Sequence, residues 1–116
     1  MLIKKIQQVP PKPVQMEGAR DVNVRLIFGP DDKAPTIAMR VFELAPGGHT
    51  PYHTHPFEHE VLILSGEIAV ATEKGPITLS PDNAILIAPD EPHQFKNLSN
   101  TQPASFLCLV PVEYQK

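Results

Sequence analysis

The stretch His53-Thr54-His55-Pro56-Phe57-Glu58-His59-Glu60-Val61-Leu62-Ile63-Leu64 decides how this chain is read. Three imidazoles fall within seven residues, and an apolar run follows. Side chains two apart on a strand face the same way, with about 6.5–7 Å between their Cα atoms. His53 and His55 are therefore expected side by side on one face of an extended segment. Pro56 breaks that segment, the chain reverses, and His59 opens the next strand, from which it can point back at the same spot. A fourth imidazole, His93, comes much later in Pro92-His93-Gln94-Phe95. Neutral imidazole is the commonest protein metal ligand, and four nitrogens from three strands can converge on one ion. An HxH pair alone would look the same on a solvated strand; the added His59 and His93 favour a mononuclear metal centre. His49, after Gly47-Gly48, reads as a solvated loop residue. Glu58 and Glu60 are possible donors but read better as surface groups or as neighbours of the ligands.

Outward from that stretch, the punctuation is dense. Fourteen prolines are spread through 116 residues. A proline costs about 3 kcal/mol inside a helix, so long helices are not expected. Apolar segments between Pro, Gly and Asp turns suggest short strands: 22–28, 36–44, 60–64, 68–72, 77–79, 84–87, 93–96 and 106–110. That count suits a β-sandwich or barrel. Ala45-Pro46-Gly47-Gly48 reads as a sharp strand end, and Glu73-Lys74-Gly75-Pro76 as a hairpin loop. Residues 1–21 read as an amino-terminal arm, in which 2–9 could pair as an edge strand on this or another subunit, and residues 22–116 as one β-barrel domain.

Bulk properties narrow the partners. A net charge of −3 provides no basic field to hold phosphates, so nucleic acid is not the expected partner. No apolar run approaches the roughly 20 residues that span a bilayer. The single cysteine, Cys108, forms no internal disulfide, and Lys4-Lys5 follow the start too closely for a secretion signal. A cytoplasmic protein acting on a small molecule is the expectation.

Taken together, these residues resemble the cupin family. In its first motif a glycine precedes an HxH pair, a carboxylate follows and a second glycine closes. Gly47, His53-Thr54-His55, His59 and Gly66 fall in those places, with His59 where most cupins carry Glu. In its second motif Asp82 holds the first glycine position, Ala88 the proline position and Asp90 the second glycine position, while His93 and Asn97 match. The resemblance implies an all-β double-stranded β-helix, or jelly-roll barrel, in a single domain. The departure at His59 is similar to the small cupins with an all-histidine site, often described with manganese. It implies a homodimer with the arm at the interface, and a metal held by His53, His55, His59 and His93. Mn follows from the resemblance; by donor type alone the ion could be Fe, Zn, Cu or Ni.

Strand parity then nominates the pocket. Phe95 shares a face with His93, and Phe106, Cys108 and Val110 share a face of the last strand. The resemblance turns that face into the barrel. Cys108 is then a pocket wall, an oxidisable thiol or simply a small buried hydrophobe. Arg40 either reaches inward toward an anionic substrate or lies exposed. No general base is evident. The leading expectation is an oxygenase-type enzyme using dioxygen or peroxide on a small anionic or enolisable substrate. The alternatives are a Lewis-acid isomerase or lyase, and a non-catalytic binding protein.

Overall fold

The computed structural model describes residues 1–115. Nine strands follow in chain order: β1 (Lys12–Pro13), β2 (Arg20–Phe28), β3 (Ile37–His49), β4 (His59–Ser65), β5 (Ile68–Ala71), β6 (Ile77–Leu79), β7 (Ala84–Ile87), β8 (Gln94–Asn97) and β9 (Ala104–Pro111). Three single 3-10 turns, Ile6–Gln8, Pro30–Asp32 and Val112–Tyr114, are the only helical elements among the described residues. All strand pairs are antiparallel, in the order β6-β5-β8-β3-β9-β4-β7, with β2 beside β3 and β1 beside β2. The sheet curls on itself as an all-β jelly-roll barrel.

Alternation along the strands builds the interior. In β9 Ala104, Phe106, Cys108 and Val110 are buried, while the residues between them are half-buried. In β4 His59, Val61 and Ile63 point in, and Glu60, Leu62 and Leu64 point out. Leu44, Ile68, Val70 and Phe95 complete the core. Burying an aliphatic or aromatic side chain of this size contributes about 1.5–3 kcal/mol, so this one inner face carries most of the stabilisation.

Two readings of local punctuation need correction. Ala45-Pro46-Gly47-Gly48 does not end the strand; β3 runs through it to His49. Residues 37–44 pair with β9, and His49 pairs with Lys96 of β8. The glycines form a corner between two parts of the sheet. Gly47 has φ +72, and a Cβ on Gly48 would lie 2.6 Å from the Asp21 carbonyl oxygen, so strand pairing continues only because both lack side chains. His49 accordingly is a half-buried strand residue, not a loop one.

Residues 2–9 pair with no strand of this chain and carry the Ile6–Gln8 turn. Arg25 captures that turn. Its guanidinium donates to the Val9 carbonyl at 2.6 Å and to the Gln7 carbonyl at 3.3 Å, and pairs with Glu43 at 2.9 Å. Lys4 donates to the Ile27 carbonyl at 2.7 Å and to Asp32 at 2.8 Å.

Candidate metal centre

Two histidines are joined by backbone. His53 and His93 form an isolated antiparallel bridge: the His53 N–H donates to the His93 carbonyl at 3.2 Å, and the His93 N–H to the His53 carbonyl at 3.1 Å. His55 follows on the same side. Its ring centroid lies 5.4 Å from His53 and 5.0 Å from His93. One ring nitrogen from each of His53, His55 and His93 falls within a group spanning no more than 4.8 Å. The second loop is tied to the first where the Asp90 N–H donates to the His55 carbonyl at 2.8 Å.

The tautomers follow from hydrogen bonding. Nδ1 of His53 is 2.9 Å from the Pro51 carbonyl, Nδ1 of His55 is 2.7 Å from that of Phe57, and Nδ1 of His93 is 2.8 Å from that of Glu91. A carbonyl oxygen only accepts, so each Nδ1 carries the proton and donates. Each Nε2 is left with a lone pair, the form a metal needs. Nε2 of His55 and of His93 are buried without a hydrogen-bond partner. Orphaned buried acceptors are costly, and their convergence fits a cation.

His59 is beside the trio but not in it. Its buried Nδ1 has no partner, and its ring is stacked on His55 at 4.1 Å. It is the top of an aromatic column: Tyr114 on Phe57 at 4.3 Å, Phe57 on His55 at 4.0 Å, then His59. The structure thus brings three of the four expected donors together, with the fourth ring in contact.

Burial lowers the proton affinity of these rings. His59 is pushed down to about 2, first by desolvation and then by its neighbours His55 and Arg40. His55 and His93 are lowered chiefly by desolvation, against the pull of their carbonyl partners. Burial raises the Cys108 thiol, with Arg40 partly offsetting it.

The other nominated residues line the same interior. Phe95 packs edge-on to His93 at 5.9 Å, and Phe106 lies 4.5 Å from Phe95. Arg40 faces inward: it donates to the Cys108 sulfur at 3.2 Å and sits 4.9 Å over the Phe42 ring. Val110 is buried on that face, while Glu58 and Glu60 are exposed. His49 stands apart, its Nδ1 close to the Thr50 carbonyl and the Gln94 amide.

Asn97 proves to be a staple. Its buried amide donates to the carbonyls of Leu44, Ala45 and Gln102, and its oxygen accepts from the Ser99 N–H. Thr50 and Tyr114 are supporting residues that sequence reasoning missed. The Thr50 hydroxyl accepts the Phe95 N–H at 2.9 Å. Neither residue stands in a pattern that marks it. Asp82 and Asp90 occupy the left-handed region, at φ +73 and +64. Both stand where the resemblance implies glycine, and Asp tolerates that region.

Comparison with known proteins agrees with this architecture. Residues 40–110 match the Cupin domain. The polyketide cyclase RemF from Streptomyces resistomycificus superposes with a TM-score of 0.91 at 30% identity, covering 97% of this chain and 80% of that one. Rru_A2000 from Rhodospirillum rubrum, a cupin-2 domain, gives 0.83 at 26% identity, covering 99% and 77%. A curated relative, the 1-methylthio-D-xylulose 5-phosphate methylsulfurylase of Rhodospirillum rubrum, is 31% identical over 78 residues, 67% of this chain. The match spans only 49% of that relative's length. With more than half its residues in the matched domain and the barrel observed throughout, this chain belongs to the cupin family.

Proposed function

We propose that His53, His55, His59 and His93 hold one divalent metal ion, and that the protein is a metal-dependent enzyme of a small anionic or enolisable organic molecule. The observation that carries this reading is the set of three Nδ1–H···O=C bonds, which turn three Nε2 lone pairs toward one point. His59, with its buried Nδ1 free, completes the donor set. Among neutral imidazoles a divalent ion would keep its full charge and act as a Lewis acid toward a carbonyl, enolate or carboxylate oxygen. Manganese is the proposed ion on the family resemblance.

The chain's own residues shape what enters. Phe95 excludes water beside His93, with Phe106 packed behind it and Val110 buried on the same face as Phe106. Arg40 brings a positive charge to the same interior, where one of its terminal nitrogens donates to the Cys108 sulfur.

Lewis-acid chemistry is favoured over dioxygen chemistry. RemF is named a polyketide cyclase and the curated relative a methylsulfurylase; neither name denotes an oxygenase. The oxygenase reading stands second, because the same donors accept redox-active ions. A homodimer through the arm is also proposed, on its exposed Met1, Leu2 and Ile3; light scattering tests it.

The decisive experiment is metal analysis with EPR on protein purified without added metal, followed by diketones, catechols and hydroxy acids with and without oxygen. Turnover that survives anaerobiosis and replacement by zinc supports the Lewis-acid reading. Turnover that needs dioxygen or peroxide supports the second reading, and ligand capture without turnover overturns both. Protein that takes up no divalent ion overturns the metal centre.

A further inference from the structure

A cavity of about 730 Å³ is bounded by the arm, β2 and β3. Such a volume holds a small organic molecule. One wall is apolar: Val14, Val24, Leu26 and Phe42. Arg40 lies on the same wall, two residues before Phe42 and opposite Leu26 in the strand register. On its other side Arg40 meets Cys108 of β9, which pairs with Val61 of β4, the strand that His59 opens. The guanidinium therefore stands between the cavity and the interior that β4 and β9 line.

Its bonding is incomplete. One terminal nitrogen donates to the Cys108 sulfur, a weak acceptor, and the Phe42 ring supports the guanidinium plane. The Nε–H is buried with no acceptor. Arg40 makes none of the ion pairs found among the described residues. Arg40 is half-buried, but a buried donor is normally paired, and a planar fork of donors fits a carboxylate. The cavity's charge balance limits the anion. Lys4, Lys12 and Arg40 face Asp31 and Asp32, three positive groups against two negative, which leaves one unit. Lys4 is already committed to Asp32 at 2.8 Å, and Arg40 is the cation beside Phe42.

We propose that Arg40 is a specificity-determining residue, and that the substrate is a monocarboxylate with an apolar or aromatic body seated against Phe42, Val24 and Leu26. This deepens the proposed function and rests on it for the word substrate; the anion subsite itself needs no metal.

The test is calorimetric titration of the full chain, metal-free and metal-loaded, with benzoate, phenyl phosphate and the neutral isostere benzamide. In metal-free wild-type protein benzoate is expected to bind at least about tenfold more tightly than benzamide. Arg40→Met should remove that preference and Arg40→Lys should keep part of it, with circular dichroism confirming that both are folded. Equal binding of benzoate and benzamide by the wild type, or a preference that survives in Arg40→Met, overturns the proposal. Tighter binding of phenyl phosphate than of benzoate overturns the monocarboxylate class. Metal content, measured on the same samples, separates the two readings. Protein that binds no metal but keeps the Arg40-dependent preference loses the metal centre and retains the subsite. Protein that binds metal without the preference does the reverse.

Discussion

The Phe57 carbonyl accepts the Nδ1–H of His55 at 2.7 Å, and the Phe57 ring lies 4.0 Å from that same imidazole with the planes 9° apart. One residue thereby fixes both the tautomer and the tilt of a donor. Phe57→Ala keeps the carbonyl and removes the ring. Groups that orient a ligand are worth about 10–100-fold in metal affinity, so a loss of about tenfold is expected in competition with a chelator. Tyr114→Ala should lose less, and Tyr114→Phe should be silent because the stack survives. Unchanged affinity in Phe57→Ala would show that the loop backbone alone holds His55.

The donors themselves should rank. His53→Ala, His55→Ala and His93→Ala each remove a nitrogen of the close group and are expected to leave the purified protein essentially metal-free by elemental analysis. His59→Ala removes the ring outside that group and should retain metal at reduced affinity. If His53→Ala and His93→Ala both keep full metal content, the assignment is wrong.

Acid should destabilise the metal-free protein in a defined window. Unfolded, His59 titrates near 6.5; folded, burial and its cationic neighbours hold it at about 2. Above pH 6.5 the ring is neutral in both states and contributes no pH dependence. Below it, the unfolded chain binds a proton that the folded chain refuses. Stability therefore falls with pH from about 6.5 toward 2, by roughly 1.4 kcal/mol per pH unit for such a group. His55 and His93, also lowered, steepen the upper part. Urea midpoints at pH 7, 6 and 5 should drop more for the wild type than for His59→Leu; equal slopes would contradict this.

Gly66 should tolerate no side chain. It has φ +77, and an added Cβ would meet the Ala104 Cβ at 2.7 Å and its Cα at 3.0 Å. Left-handed backbone costs a non-glycine residue about 1–2 kcal/mol, and the clash adds to it. Gly66→Ala is expected to lose about 2–3 kcal/mol in chemical denaturation, with β4 and β9 displaced where they meet the turn.

Asn97→Ala should be about as costly. It leaves the Leu44, Ala45 and Gln102 carbonyls without this donor at a buried junction. A loss of about 1–3 kcal/mol in the same assay is expected, with metal content unchanged because the staple lies away from the donors. Falling metal content at full occupancy of the folded state would assign Asn97 to the centre instead.

Much of this was legible in the chain because alternation is a local rule. It places His53 beside His55, groups Phe106, Cys108 and Val110 on one face, which the resemblance turns inward, and sets Phe95 on the face of His93. What escaped depends on distant partners. Gly47-Gly48 carries the local mark of a strand end, but the neighbouring Asp21 carbonyl and the β8 pairing make it a corner. Within this chain Arg25, across the fold, gathers the Gln7 and Val9 carbonyls of the arm, a contact that no local pattern marks. His59 was placed in sequence, but its ring direction is set by stacking on His55. Tyr114 lies beyond every motif, and only its packing gives it a role. Asp82 and Asp90 looked like lost glycines because sequence records residue type and not φ.

The donors and the walls of this interior belong to different parts of the chain. The imidazoles ride on residues 53–59 and on His93, while Arg40, Phe42, Phe106, Cys108 and Val110 ride on β3 and β9. A change at any alternate position of those two strands alters what the chamber admits without moving a nitrogen. Such an arrangement can be retuned one residue at a time: the molecule admitted can change while the four imidazoles stay where they are.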